Sequence, residues 1–246
     1  MKKLFHYTSI NNLALILKTK SIRFGRLDNV NDPEEGKAND FHSLSPYIFI
    51  SSWTENEEEN FALWNMYTQN MRGVRIELSL PIFESYSWNN YDNYLFQQKD
   101  YLNEKKGYFI VDGLNEPHKI EYSDDINLLK PNIRNDIGLE LEILAKCKKS
   151  MWTFEQEYRF RLDIFPIDKN VKSDNFPDKY VHLIENKVPP PIDSYFIKIK
   201  DDSFKQMIIT TGPKNLPGDY EIIEALISKY NKPAQLEISK LNGLIR

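Results

Sequence analysis

Glycine is scarce in this chain of 246 residues: nine occur, and no two lie within five positions of one another. That spacing excludes the G-x-G-x-x-G dinucleotide loop and the G-x-x-x-x-G-K phosphate loop. Both loops need glycine because the backbone approaches phosphate at angles that a Cβ forbids. A nucleotide would have to be held by a fold of another kind. Cysteine is scarcer still. Cys147 stands alone, which rules out an intramolecular disulfide and a Cys-rich zinc site and points to a reducing compartment. It reads as a small apolar residue on a helix. The four histidines, His6, His42, His118 and His182, are scattered and form no H-E-x-x-H pair, so no metal is expected. Basic excess is missing too: 32 Lys and Arg face 36 Asp and Glu. That balance argues against a broad surface for nucleic-acid backbones and leaves a local basic groove open. No run approaches the ~18 apolar residues of a membrane span. The two N-terminal lysines are followed by polar residues before any signal-peptide core develops. A cytoplasmic protein with no membrane partner is the expectation.

The residues that are present alternate between short strand and helix patterns. Lys3 to Tyr7 reads as a strand, and Thr8 or Ser9 then offers an N-cap hydroxyl. Ile10, Leu13, Ala14, Ile16 and Leu17 follow at helical spacing up to about Lys20. Ser21 to Phe24 reads as a second strand, followed by a polar loop from Arg26 to Gly36. Tyr47 to Trp53 begins with continuous apolar residues, which suggests a central strand buried on both faces. Acidic residues Glu55 and Glu57 to Glu59 suit the first turn of a helix that carries Phe61, Trp64 and Tyr67 or Thr68 on one side. Gly73 breaks that helix, and Val74 to Leu80 alternates as a half-buried strand. Tyr86 to Phe109 holds eight aromatics among Asn, Asp, Gln and Lys. It reads either as an insertion, at about 84–106, that packs its own rings, or as a stacking surface for a base or nicotinamide ring.

Further strands are expected at Tyr108–Val111 and His118–Tyr122, then an amphipathic helix over Arg134–Ser150 with Ile137, Leu141, Leu144 and Cys147 on one face. A strand at Trp152–Leu162 follows, and others near Tyr180–Ile184, Tyr195–Ile199 and Met207–Thr210. Pro189 to Pro191 makes a stiff connector. A helix at Asp219–Tyr230 and a strand at Ala234–Ile238 close the chain. No repeat or low-complexity linker divides this order, so residues 1–246 read as a single domain. Many connections are too short for a crossover helix. The fold class is therefore α+β, with a mixed, mostly antiparallel split sheet and flanking helices.

Three segments place polar groups at strand ends amid apolar sequence: His6-Tyr7-Thr8, Ser51-Ser52-Trp53 and Glu155-Gln156-Glu157. Residues two apart on a strand face the same way about 7 Å apart, so His6 pairs with Thr8 and Glu155 with Glu157. Two carboxylates on one face are tolerated either in solvent or where they do work. Glu155, Glu157, Arg159 and Arg161 also form an alternating ladder that a solvent-facing strand edge would explain.

The order of these segments resembles the ADP-ribosyltransferase superfamily, in which a first strand gives a His or Arg, a middle strand a Ser or Tyr motif and a late strand a glutamate, often as E-x-E. The chain from residue 4 to about 212 also resembles a bacterial family of unassigned function. That family is marked by H-Y-T, N-D-P-x-E, S-W, L-W-x-x-Y and E-x-E-Y-R, here His6-Tyr7-Thr8, Asn31 to Glu35, Ser52-Trp53, Leu63 to Tyr67 and Glu155 to Arg159. The chain departs from both transferase branches in pairing histidine with Ser-Ser-Trp.

The resemblance implies an NAD-dependent mono-ADP-ribosyltransferase that acts on a protein or nucleic-acid acceptor, as a toxin or phage-defence effector with an antitoxin or immunity partner. In that reading NAD lies across the split of the sheet. His6 bonds the adenosine ribose, Thr8 or backbone beside Tyr7 holds the nicotinamide amide, and Ser52 supports the glutamate or the ribose. Trp53, Trp64 and Tyr67 wall the ring pocket, and Arg159 or Arg26 pairs with the diphosphate. Glu157 accepts from the ribose 2′-hydroxyl and stabilises the oxocarbenium-like transition state, while Glu155 orients the accepting nucleophile. Two other classes stay open: a non-catalytic nucleotide or nucleic-acid binding module, and a metal-independent nuclease with His6 as base.

Overall fold

The computed structural model describes residues 2–88, 91–136 and 138–244. The strands are β1 Lys3–Thr8, β2 Ser21–Arg26, β3 Ile48–Thr54, β4 Val74–Ser79, β5 Tyr86–Trp88, β6 Tyr91–Tyr94, β7 Leu102–Asn103, β8 Tyr108–Asp112, β9 His118–Lys119, β10 Glu121–Tyr122, β11 Cys147–Lys148, β12 Glu157–Pro166, β13 Ser194–Lys198, β14 Ile208–Thr211 and β15 Gln235–Ile238. The α-helices are α1 Ile10–Thr19, α2 Phe61–Tyr67, α3 Ile126–Leu129, α4 Val181–Glu185, α5 Asp201–Lys205 and α6 Pro217–Tyr230. The class is α+β with a mixed, mostly antiparallel sheet.

The main sheet runs β15-β14-β4-β1-β3-β12-β8-β7, with β2 and β9 attached to β3 and β12 and β13 attached to β2. Among the described residues, only β14 with β15 is parallel within it. β1 pairs with β4 along its whole length, from Lys3 opposite Ser79 to Thr8 opposite Val74. β3 pairs as fully with β12, from Thr54 opposite Glu157 to Ile48 opposite Asp163. Between these two ladders β1 and β3 meet only at Phe5 and Thr54. The sheet therefore opens beyond that point, and side chains rather than backbone amides fill the gap.

Local sequence explains most elements. Ser9 caps α1 by accepting from the Asn12 amide, and Lys20 ends it in the left-handed region. Leu13, Ile16 and Leu17 of α1 and Ile223 and Ile227 of α6 are buried in one cluster with Leu4, Ile76 and Ile209 of the sheet. A second cluster gathers Tyr47, Ile48, Phe109, Leu144, Phe165 and Ile184, and a third, smaller one holds Tyr7, Leu63, Trp64 and Met71 around α2. α2 begins at Asn60, whose side chain accepts from Ala62 and Leu63, so the acidic run Glu57–Glu59 precedes the helix instead of filling its first turn. Gly73 is required where β4 begins, because a Cβ there would stand 2.5 Å from the Thr8 carbonyl oxygen.

Three expected elements differ. The helix over Arg134–Ser150 does not form: a 3-10 turn at Leu141–Ile143 and β11 occupy that segment, Cys147 lies on β11, and Ala145 has φ 60°. The reason lies in its carbonyls. Those of Leu141 and Leu144 accept from Arg161 and that of Ala145 from Arg159, bonds an α-helix would have spent on its own amides. Ile137, expected on that helix face, lies outside the described residues. The strand at Trp152–Leu162 starts only at Glu157, because Ser150–Glu155 forms 3-10 turns that end at Gln156 with φ 45°. The strand at Tyr180–Ile184 is α4, whose amides at Leu183 and Ile184 bond back to the Tyr180 carbonyl. Its apolar residues at 180, 181, 183 and 184 fit a helical turn as readily as a strand.

The aromatic stretch forms the hairpin of β5 and β6, and Trp88 packs its ring on Tyr94, Phe96 and Tyr101 at 4.8 to 5.9 Å. Asn89 and Asn90 of that stretch lie outside the described residues.

Candidate functional site

The mouth of the opening between β1 and β3 is bridged by a side chain. His6 Nδ1–H donates to the Ser52 carbonyl at 2.9 Å, and its ring lies 5.0 Å from that of Trp53. Burial pushes the imidazole pKa down, so the ring is neutral near pH 7. Because a carbonyl only accepts, the proton sits on Nδ1 and Nε2 is left as an acceptor. The cavity at this point has a volume of about 260 Å³. Phe5, His6 and Tyr7 line it from β1, Ser52, Trp53 and Thr54 from β3, Leu63 and Tyr67 from α2, Asn29 to Asn31 from the polar loop, and Lys148, Glu155, Glu157 and Arg159 from the far side.

Those last four residues belong to a buried charge network. Arg159 donates from Nε and Nη2 to the two oxygens of Glu157 at 2.6 and 2.9 Å, and its Nη1 stands 2.5 Å from Glu35. Lys148 Nζ stands 2.5 Å from Glu155, 3.2 Å from Glu157 and 3.2 Å from Glu35. Tyr67 donates its hydroxyl to Glu155 at 2.6 Å, and the Tyr122 hydroxyl accepts from the Glu157 amide. The αL turn at Gln156 makes this convergence possible. It swings Glu155 out of the strand, so that both carboxylates reach one ammonium from different elements.

The ladder Glu157, Arg159, Arg161 and Asp163 does alternate along β12, yet it faces inward. Arg159 is 1% exposed, and Arg161 donates to Asp163 at 2.7 Å. The whole strand is buried, which corrects the reading of a solvent-facing edge.

Environment divides the two carboxyls. Burial alone would raise both. At Glu157 the Arg159 guanidinium and the Lys148 ammonium outweigh it, with help from the Ser52 hydroxyl, and hold the carboxyl down to about 2. At Glu155 burial wins over Lys148 and Tyr67, and the carboxyl is raised above its usual range. Lys148 is pushed up despite burial, because Glu157, Glu35 and Glu155 surround it. Tyr67 is raised by burial and by the adjacent Glu155. One ionised carboxylate thus stands beside one poised to take a proton.

Of the residues singled out from sequence, His6, Tyr7, Ser52, Trp53, Tyr67, Glu155, Glu157 and Arg159 share this cavity. Two do not line it. The Thr8 hydroxyl accepts from Asn12 at the start of α1, and Trp64, on the inner face of α2, is fully buried and donates its indole N–H to Glu59. Neither arginine is placed to take a diphosphate: Arg159 is spent on Glu157 and Glu35, and Arg26 on Asp28 and Asp193. Sequence reasoning missed Lys148, hidden in an apparent helix, and it left Glu35 without a role. Among the described residues, the aromatic stretch contributes nothing to the cavity lining. No protein-family model matches this chain, and no curated protein or solved structure matches it either.

Proposed function

We propose that the protein is an NAD-dependent mono-ADP-ribosyltransferase with its reaction centre in the opening between β1 and β3. The observation that carries the reading is the convergence of His6, Ser52 and Glu157 on one cavity: His6 donates to the Ser52 carbonyl, and all three residues line the same space. These residues come from three distant segments, in the strand order of the superfamily that the chain resembles.

In this reading the nicotinamide ring lies against Trp53, Phe5 and Tyr7, and a ribose hydroxyl donates to the carboxylates. Glu157 is ionised at neutral pH. As the C1′–N bond breaks and nicotinamide leaves, its fixed negative charge stabilises the cationic ribosyl group without reorganisation. Glu155, with its raised pKa and its bond to Tyr67, suits the proton of the accepting nucleophile. The acceptor is a protein or nucleic acid, and a toxin or phage-defence setting with an immunity partner follows the same resemblance.

The closed ion-pair network favours a second reading. A Glu157 held by both Arg159 and Lys148 also suits a binding module that keeps the cavity without chemistry. Nicotinamide release from NAD by the purified protein separates the two. The transferase reading expects release that is lost in Glu157→Gln, with NAD binding retained by calorimetry. If the variant fails to fold, wild-type release and binding decide. Binding without release supports the module, and neither binding nor release sinks the transferase reading.

A further inference from the structure

Among the described residues, the cavity lining holds no cation free to meet a phosphate. Lys148 is enclosed by Glu35, Glu155 and Glu157, and Arg159 by Glu35 and Glu157. Three carboxylates face two cations around a neutral His6, so the surroundings carry one net negative charge when all three are ionised. Arg75, another buried guanidinium, lies over the Phe5 ring at 4.7 Å, donates to the Glu57 carbonyl and does not line the cavity. A diphosphate in this space would meet surroundings of its own sign, at a cost that the buried setting enlarges.

What the cavity offers is the opposite. Phe5, Tyr7, Trp53 and Tyr67 line it, and aromatic side chains suit a planar or cationic group. Glu155, Glu157 and the acceptor nitrogen of His6 take hydrogen bonds from hydroxyls and an amide. A volume of about 260 Å³ falls below the several hundred cubic ångströms of a site that encloses a drug-sized ligand, and far below a dinucleotide.

Resting on the transferase reading, we propose that the site recognises the nicotinamide-ribosyl head alone and leaves the diphosphate and adenosine outside. The substrate class is then the β-nicotinamide nucleoside, whether or not it carries phosphates. His6 in this arrangement meets the nicotinamide ribose or amide instead of the adenosine ribose.

The test is titration calorimetry of the intact protein with NAD, nicotinamide riboside and ADP-ribose. The expected result is a Kd for nicotinamide riboside within about threefold of that for NAD, and ADP-ribose at least tenfold weaker than either. Glu155→Gln should weaken nicotinamide riboside by about tenfold, because it removes charge beside the cationic ring while keeping the side-chain shape. Melting of that variant reports whether it is folded. NAD binding with riboside tenfold weaker, or ADP-ribose as tight as NAD, overturns this inference and leaves the transferase reading standing. Failure of NAD and riboside alike overturns both.

Discussion

The Lys148 ammonium stands 2.5 Å from the Glu155 carboxylate, in a place where each side chain is about 5% exposed. A buried charge of this kind is stable only while its counter-charges are present, and Lys148 holds three carboxylates together. Lys148→Met should therefore destabilise the protein by about 3–5 kcal/mol, since Glu35, Glu155 and Glu157 then face only Arg159. Urea unfolding of the variant and wild type measures this. A loss under about 1 kcal/mol would mean that the network is hydrated and open.

Glu35 ties the Asn29–Glu35 loop to the sheet through Arg159 and Lys148. That loop supplies Asn29, Val30 and Asn31 to the cavity wall. Glu35→Gln should loosen the loop, and limited proteolysis should produce new cleavage between residues 29 and 35 while the rest of the chain stays resistant. An unchanged digestion pattern would show that the bonds of Asp32 to the turn hold the loop without Glu35.

Acid should act in two stages. His6 is depressed in the folded state, so the unfolded ring binds its proton first, and stability falls as pH drops below the ordinary histidine value of 6.5. Glu157 is depressed from 4.5 to about 2. Its contribution is complete above pH 4.5 and is lost as pH falls from there towards 2. Denaturation midpoints at pH 7.5, 5.5 and 3.5 should fall in that order, and His6→Gln should reduce the step between the first two, the remainder coming from His118, which burial also depresses, to about 4. A midpoint that does not change from pH 7.5 to 5.5 in the wild type would contradict the buried, neutral His6.

Tyr67 reaches the network from a half-open position, 37% exposed, through its bond to Glu155. Tyr67→Phe should cost only about 1–2 kcal/mol, since water can replace a bond at the surface. In the transferase reading it should slow transfer to the acceptor more than hydrolytic release of nicotinamide, because Glu155 serves the acceptor. Equal loss in both assays would place Tyr67 on the nicotinamide side instead.

Much of this architecture was legible from residue pattern. The alternation at Val74–Leu80 and the helical spacing of Ile10–Leu17 each report a single burial face, and the apolar opening of β3 reports a central strand. The longest element that went astray has a physical cause: its backbone serves side chains elsewhere. Leu141, Leu144 and Ala145 have helical spacing, yet their carbonyls receive Arg159 and Arg161. Nothing local marks that demand, because the arginines arrive 14 to 20 positions later. The Glu155–Glu157 spacing suggested one strand face, whereas a left-handed Gln156 separates the two and Lys148 reunites them. His6, Ser52 and Glu157 were legible because order along the chain carried them. Lys148 was not, since a lysine in an amphipathic pattern ordinarily lies on the solvated face.

The most direct measurement of the central claim is nicotinamide release from NAD by the wild-type protein, alongside Glu157→Gln confirmed as folded by circular dichroism. The account predicts steady release by the wild type and a loss of at least a hundredfold in the variant, the scale of removing one electrostatic contact to a transition state. Equal release from both proteins, or none from a wild type that also fails to bind NAD, would contradict it.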